Sequence, residues 1–528
     1  MKKGLFVVCI FSLFIVRWLF VPGFLPTHDG EYHLIRFYEF GRMVASGYLI
    51  PRWAPGLNSG YGVPIFNFHY PFPNYLAYAF HAFGWSLADA FRFTIAAGYL
   101  LASISSYIWL RRYVRDSAAC AATLMGALVP YWFVDIFVRG SVGEVLAIGL
   151  SLLAFAAIAW ERRGVVTLAV TGLILSHNII AIIFLPILFI YALLVSRRLT
   201  GWIVLGIGIS VYFWLPALVE AQYVLGLNTV SFVDHFPDLA QLLIPSWGTG
   251  FSGAPFSGGA MSYQIGIMPI VVLFISTILF LFNRWRSNRR LAGFFLLVWL
   301  ISIIFMLPAT IPIWKSVPYM ANIQYPWRLL SVGIPAVSFL SAHLFARWDR
   351  TWILFIVVAF SYFLVFPYTK PVLYEPRSDD YYLSRREFSD GTSSLGNSFV
   401  TRWMSWQPNR PEKRMEILSG VGSVAVKYND VITLAGDARL TTEGMVRIHI
   451  AYYPGWRVIV DGENVPVKPD SRGMMTVPIA KGNHRVVVHF TETPFRFVAD
   501  MFSVVCLFWL FYSSILKRRL FHNYAYRH

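Results

Sequence analysis

The sequence predicts an α-helical polytopic membrane protein with a C-terminal outer β-sandwich and a final transmembrane helix. Three observations predict it. Of 528 residues, 57% are hydrophobic and 13% charged, with a mean hydropathy of +0.57, against roughly 45–50% apolar and about 25% charged in soluble domains. The apolar residues come in repeated runs punctuated by arginine, and most runs approach the roughly 17–25 residues that a spanning helix needs. The positive charge collects in the short connections between alternate runs.

Taken in order, Met1-Lys2-Lys3 and the run 4–24 read as an uncleaved first helix: Arg17 interrupts the run, and Pro22-Gly23-Phe24 offers no small-x-small cleavage site. Further spans are expected at 86–110, 117–135, 142–160, 164–177, 179–196, 200–217, 264–283, 291–308, 327–346, 351–367 and 498–516, about twelve in all. The 164–196 stretch is divided at Ser176-His177-Asn178, because the topology requires an even number of crossings there. Domains are accordingly 1–367 for the membrane part with a first outer loop at 25–85, 368–497 for an outer loop plus β-domain, and 498–528 for the last helix and basic tail.

Charge tests this threading. Nearly all of the net +17 falls in the N-terminus, Arg111–Arg115, Glu161–Arg163, Arg197-Arg198, Arg284–Arg290, Arg347–Arg350 and the tail from Lys517. The positive-inside rule makes these the cytoplasmic face. Both termini are then cytoplasmic in a bacterial inner membrane, and the large domain is extracytoplasmic. The basic balance thus reports topology, and nucleic acid is not an expected partner; the lipid bilayer is.

The substantial outer segments are 25–85, 218–263 and 368–497, joined by two short ones at 136–141 and 309–326. Residues 368–415 read as irregular, and 416–497 alternate with period two, as in Val446-Arg447-Ile448-His449-Ile450. Asp461-Gly462 marks a hairpin turn. Cys9, Cys120 and Cys506 all lie in apolar runs, which leaves no disulfide framework and no thiolate zinc site. P-loop, G-x-S-x-G and H-E-x-x-H motifs are absent.

Ionisable groups near a membrane are costly and point to function. Thr27-His28-Asp29-Gly30-Glu31-Tyr32-His33 follows the first helix; Asp29 is either a helix cap or a reactive acid, and 31–46 reads as an interfacial amphipathic helix. The loop 58–74, with Tyr61, Phe68, His69 and Tyr70, suits stacking on sugar rings or an ordinary aromatic belt. Asp135 and Arg139 stand four apart and can pair, while Glu144 has no local partner. His177 sits between two runs. Arg328, in Gln324-Tyr325-Pro326-Trp327-Arg328, can hold a lipid phosphate or snorkel to headgroups.

These features together resemble the polytopic GT-C glycosyltransferases: an acidic motif after helix one, a long aromatic first loop, many short spans and a C-terminal outer β-domain. Thr27–His33, Tyr61–Tyr70, Arg139–Glu144, 213–220, 261–264 and Gln324–Arg328 resemble a bacterial membrane family labelled 6-pyruvoyl-tetrahydropterin synthase-related. Tyr452-Tyr453-Pro454-Gly455-Trp456 and Lys481-Gly482-Asn483-His484 are similar to the YfhO-like membrane family. Scattered histidines speak against pterin chemistry.

The GT-C resemblance implies transfer of a sugar from a polyprenyl-phosphate carrier to a cell-envelope glycan or protein acceptor. It implies Asp29 as base, with Glu31 and His28 as a second acid or, with Asp29, ligands of a divalent Mg or Mn ion. Arg328, Arg139 and Gln324 are then the candidates for the lipid phosphate, and Tyr61, Phe68, His69, Tyr70, Glu144 and His177 for sugar and acceptor. Some GT-C enzymes use a metal and others do not, so the cofactor stays open. A polyprenyl-lipid or polysaccharide flippase, or a non-catalytic assembly scaffold, is the alternative.

Overall fold

The computed structural model describes residues 2–226, 231–253, 259–285, 287–318 and 320–525, with side chains from 3 to 513 among them. The basic side chains expected from Lys517 onward lie outside the described residues, as do 227–230 and 254–258 of the second outer segment.

Among the described residues, six helices are long and apolar enough to cross a membrane: Leu87–Leu110, Val142–Ala159, Asn178–Ile209, Pro326–Phe345, Thr351–Tyr368 and Pro494–Ser513. Counting Asp116–Ala127 with Tyr131–Arg139 (bent by 49°) and Arg289–Phe305 with Pro308–Ser316 (bent by 86°) as single spans makes eight. Lys3–Ile15, Arg163–Ser176 and Ile267–Leu281 are shorter apolar helices. By length and composition the expected dozen is therefore not reached. Several expected runs fold as 14- or 15-residue helices, about 21–23 Å long at 1.5 Å per residue, short of a bilayer core of about 30 Å.

The helices nevertheless run between two distinct ends. At one end Trp109 donates to Tyr191 (2.8 Å), Tyr113 meets Tyr191 (2.6 Å), Arg115 pairs with Asp349 (3.0 Å) and Asn288 with His343 (3.1 Å). These contacts lie at or beside the connections in which the basic residues collect. At the other end Glu144, His177, Arg328 and Arg139 meet, and Arg52 reaches the Tyr212 carbonyl (3.2 Å). Helix 200–209 lies alongside helix 163–176 in the same direction, with Thr167 on the Trp202 carbonyl and Thr171 on that of Gly206. The chain thus turns back at Arg197–Leu199, rather than continuing straight from Asn178 to Ile209. Helices 142–159 and 326–345 are each 94% buried over their spanning window and form the bundle centre, whereas 351–368 and 494–513 are 22% buried and turn apolar rings outward.

The β-domain is a sandwich of two antiparallel sheets. Its strands are β1 (Met415–Ser419), β2 (Gly422–Asn429), β3 (Thr433–Leu440), β4 (Gly444–Ala451), β5 (Trp456–Val460), β6 (Glu463–Val465), β7 (Lys468–Pro469), β8 (Met474–Ile479) and β9 (Gly482–Phe490). One sheet runs β1-β4-β8-β7 and the other β2-β3-β9-β5-β6. Alternation buries Val446, Ile448 and Val477 of the first against Leu434, Val458 and Val488 of the second. The Asp461-Gly462 turn is found as expected: both residues have positive φ (49° and 94°), and Val460 pairs with Glu463 across it.

The sandwich is fastened to the bundle from below. Trp53, in the segment 46–71 between two helices, enters its core beside Trp456 (5.4 Å) and Phe490 (5.6 Å). Glu220, ending helix 211–220, accepts from Tyr453 (2.7 Å), Asn67 (2.8 Å) and both Nε and Nη2 of Arg496, and all four residues are buried. A hydrogen bond to a buried charge contributes about 1.5–3 kcal/mol. Tyr453→Phe should cost about that much, and hydrogen exchange should show faster opening at Thr491–Thr493; unchanged exchange there would contradict the fastening role.

Two expectations are corrected. Helix Gly30–Ala45 is not a surface amphipath: His33, Leu34, Ile35, Arg36, Phe37, Phe40 and Met43 are buried, because residues 377–393 strap across it through Arg377–Glu31 (2.8 Å) and Arg36–Ser393 (3.0 Å). That strap, expected as irregular loop, carries two short helices, Asp379–Leu383 and Arg386–Ser389.

Candidate active site

The site grows from the break between two spans. Val134–Arg139 forms a π-helical turn that ends at Gly140 (φ +66°), and helix Val142–Ala159 follows at once. Such turns recur at functional positions because they re-aim side chains out of helical register. Here Asp135 and Arg139 pair as their spacing predicts. Glu144, one turn into the next helix, binds Arg139 Nη2 (2.8 Å) and accepts from the Tyr131 hydroxyl (2.8 Å). From a third element Arg328 donates Nε to Glu144 (2.8 Å) and Nη1 to the Ile323 carbonyl (2.9 Å) and Gln324 Oε1 (3.2 Å). Gln324 holds φ +63°, an uncommon conformation for a non-glycine residue.

Two carboxylates thus face two guanidiniums, all four nearly inaccessible to solvent. A neutral, hydrogen-bonded set is the form in which buried charge is tolerable. Arg139 lies over the Trp327 ring at 4.7 Å and Arg328 over Tyr325 at 4.8 Å. Arg328 Nη2 bonds to no described residue, which leaves one face of the fork open.

His177 closes the set. Its Nδ1 accepts from the Ile180 backbone N–H (3.2 Å), so Nε2 carries the proton and faces Glu144 at 3.6 Å. Tyr70 lies between His177 (4.9 Å) and His69 (4.0 Å), tilted by 41° and 35° to them. Gly143 admits that ring, since a Cβ there would lie 2.4 Å from it. Beyond Tyr70, Arg36 donates to His69 Nε2 (2.8 Å).

Asp29 stands at the rim. Its backbone N–H donates to the Arg139 carbonyl (2.9 Å) and its carbonyl accepts from His33 N (3.0 Å), so its position is fixed. Its carboxylate does not cap the following helix and makes no hydrogen bond or ion pair with any described residue. It is half-buried, within electrostatic reach of Arg36 and Tyr70. Asp135, Glu144 and Glu31 around it are all paired. Several buried polar atoms nearby also lack partners among the described residues: Thr27 Oγ1, His33 Nδ1, His69 Nδ1, Asp135 Oδ2 and Trp327 Nε1. A buried polar atom of this kind needs water or a ligand to complete its bonding.

Of the residues singled out in the sequence, Asp29, Arg139, Glu144, His177, Arg328, Gln324, His69 and Tyr70 come together. Four do not. Glu31 is spent on Arg377. His28 turns its Nε2 to the Thr249 carbonyl (2.8 Å) and stacks on Phe251. Tyr61 packs into the sandwich core beside His449, and Phe68 stacks on Phe399. The divergence of His28, Asp29 and Glu31 also means that they do not form a ligand set, and no group of three or more His, Cys, Asp or Glu suited to a metal occurs among the described residues. Sequence reasoning missed Tyr131 and Arg36. Arg36 had a readable signal, lying three residues after His33 on the face that proves buried.

Burial, with the nearby Arg36 cation second, holds the His33 and His69 imidazoles well below 6.5. Both are therefore neutral in the fold, while the unfolded chain takes up protons below about pH 6.5. Stability should fall progressively as pH drops from 6.5 towards the lowered native values. His69→Gln should flatten that slope in thermal unfolding from pH 7 to 5, and an equally steep slope would contradict the assignment.

Fold and site together define a membrane-spanning helical protein with a buried ionic site at the end that carries a β-sandwich. Residues 412–499, the sandwich and its junction with the last helix, match the family model of the bacterial membrane protein YfhO. None of the matches described here carries the pterin-synthase-related label. The chain matches none of the curated proteins. Among solved structures it is similar to the arabinofuranosyltransferase AftD from Mycobacteria (TM-score 0.47, 14% identity), covering 70% of this chain and 27% of that one. It is also similar to the Archaeoglobus fulgidus oligosaccharyltransferase in its apo form (0.40, 15%; 75% and 56%). A third is archaeal AglB from the same organism, in complex with an inhibitory peptide and a dolichol-phosphate (0.40, 13%; 75% and 56%). The chain thus spans about a quarter of the first protein and just over half of the other two, and at these scores the likeness is carried no further.

Proposed function

We propose that this protein is a membrane glycosyltransferase of the GT-C type, moving a sugar from a polyprenyl-phosphate carrier to a cell-envelope acceptor on the outer side of a bacterial inner membrane. On this reading the basic connections are cytoplasmic, about twelve segments cross or enter the bilayer, and the β-sandwich is extracytoplasmic. The observation that carries the proposal is the unpaired Asp29 carboxylate, pinned by its backbone to Arg139 at the rim of a site whose other acids are all neutralised.

The chemistry follows from that contrast. Asp29 takes the proton of an acceptor hydroxyl, the acceptor oxygen forms a bond to the sugar's anomeric carbon, and the bond from that carbon to the phosphate oxygen breaks. The departing polyprenyl phosphate keeps the electron pair. Attack opposite the leaving group inverts the anomeric centre. Open Nη2 of Arg328, fixed by Glu144 and Gln324, stabilises the phosphate charge as it develops. Tyr70 and His177 supply an aromatic wall for the sugar, and Arg36 with His69 supports it from behind.

A divalent cation remains compatible with Asp29 and a substrate phosphate as partners, and chelator sensitivity decides its role. The purified protein, given a panel of polyprenyl-phosphate hexoses with cell-envelope glycans and proteins, should produce an elongated acceptor of inverted anomeric configuration. A lipid that moves between leaflets with its sugar intact would instead support a flippase.

A further inference from the structure

A groove of about 460 Å³ lies on the outer sandwich, between residues 452–458 and 464–467 at the edge of the five-stranded sheet. Its size falls within the range of small-molecule sites, about 300–1,000 Å³. Arg457 and Asn464 stand exposed on its walls, and no acidic side chain lines it. Two donors close to it are buried and without acceptors among the described residues: Trp456 Nε1 and Arg496 Nη1. Arg496 is wholly inaccessible, and its Nη1 lies 2.8 Å from where a Cβ on Gly455, a lining residue, would stand. Beside the groove Tyr452 meets Trp403 edge-on (4.8 Å, 82°), and Tyr223 lies parallel to Trp403 (5.8 Å). All three rings are half-buried.

We propose that this groove binds a carbohydrate chain, the acceptor glycan of the reaction. The inference rests on the glycosyltransferase reading for the word acceptor, but not for the word carbohydrate. The exposed Arg457 cation and Asn464 amide, with no acid among the lining residues, call for a ligand rich in oxygen acceptors, and the partly exposed rings beside them suit the C–H faces of sugars. The groove is also anchored to the bundle. Tyr453, in its wall, donates to Glu220, and the Pro454 carbonyl accepts from Arg496 Nη2 (2.9 Å). A glycan held there keeps a fixed relation to the membrane helices, as delivery of its end to a site at Asp29 requires.

The test is binding without turnover. Full-length protein in lipid nanodiscs, with no donor lipid present, is titrated with neutral gluco- and galacto-oligosaccharides and with oligogalacturonate, read by saturation-transfer NMR and tryptophan fluorescence. At least one should bind, and the double variant Arg457→Ala/Asn464→Ala should weaken it about tenfold or more with an unchanged melting temperature, both side chains being exposed. Asp29→Asn should bind as wild type does. Absence of binding across the panel, equal binding by the double variant, or preferential capture of an unstructured peptide would overturn the proposal. Binding in a protein that transfers no sugar would leave the groove standing and remove the transferase reading.

Discussion

Glu144→Ala is expected to destabilise the protein by about 3–5 kcal/mol, the usual cost of stripping one partner from a buried ion set. Glu144 is the hub of its cluster: it is bound by Arg139, Arg328 and Tyr131 at 2.8 Å each and faced by His177. Its removal leaves two buried guanidiniums against Asp135 alone, in the most deeply buried part of the bundle. Desolvation that the carboxylate offset then stands uncompensated. Glu144→Leu/Arg328→Met should recover much of the loss, because a well-packed apolar pair is often as stable as the ion pair it replaces. Thermal unfolding in a fixed detergent and lipid composition measures both. A single variant within about 1 kcal/mol of wild type would mean that water reaches the cluster and relieves the charge.

Asp29→Asn should have the opposite profile, with stability unchanged and transfer lowered by about 10²–10⁴-fold, the usual contribution of a positioned base. Stability should hold because the carboxylate has no partner among the described residues to lose, and the backbone bonds that fix it survive in asparagine. Activity should fall because the amide cannot accept the acceptor's proton at neutral pH. The loss should lie in kcat, with binding of the carrier lipid retained, since Arg328 and its supports are untouched.

Much of this was legible in the sequence, and what was not has a common cause. Apolar runs and arginine clusters report which side of a helix faces lipid and where a chain turns, so the ends of 87–110, 142–159, 163–176 and 178–196 fell within a few residues of expectation. Local chemistry was equally readable. The four-residue spacing of Asp135 and Arg139 and the Asp461-Gly462 turn each act within one element.

Pairing across the chain was not readable. Arg328 lies 184 residues from Glu144, and Arg496 lies 276 from Glu220. Periodicity assigns a face but never the partner that covers it. The same gap explains Tyr61 and Phe68, which looked like parts of an open sugar-stacking loop and are packed against the outer domain and residue 399. It also explains helix 30–45, whose amphipathic pattern reads as interfacial until the strap at 377–393 is seen above it. Asp29 could be recognised as an acid in an expensive place; that it pairs with none of the described residues while Asp135, Glu144 and Glu31 are paired required the fold.

The most direct test of the account is single-turnover release of sugar from a polyprenyl-phosphate hexose already bound to the purified protein. Wild type and Asp29→Asn are compared at matched lipid occupancy after an acceptor oligosaccharide is added. The account predicts transfer by wild type and its loss in Asp29→Asn, with the lipid still bound and the melting temperature unchanged. Equal transfer by the two proteins would contradict the assignment of Asp29 as base, and bound lipid that neither protein turns over with any acceptor would contradict the transferase itself.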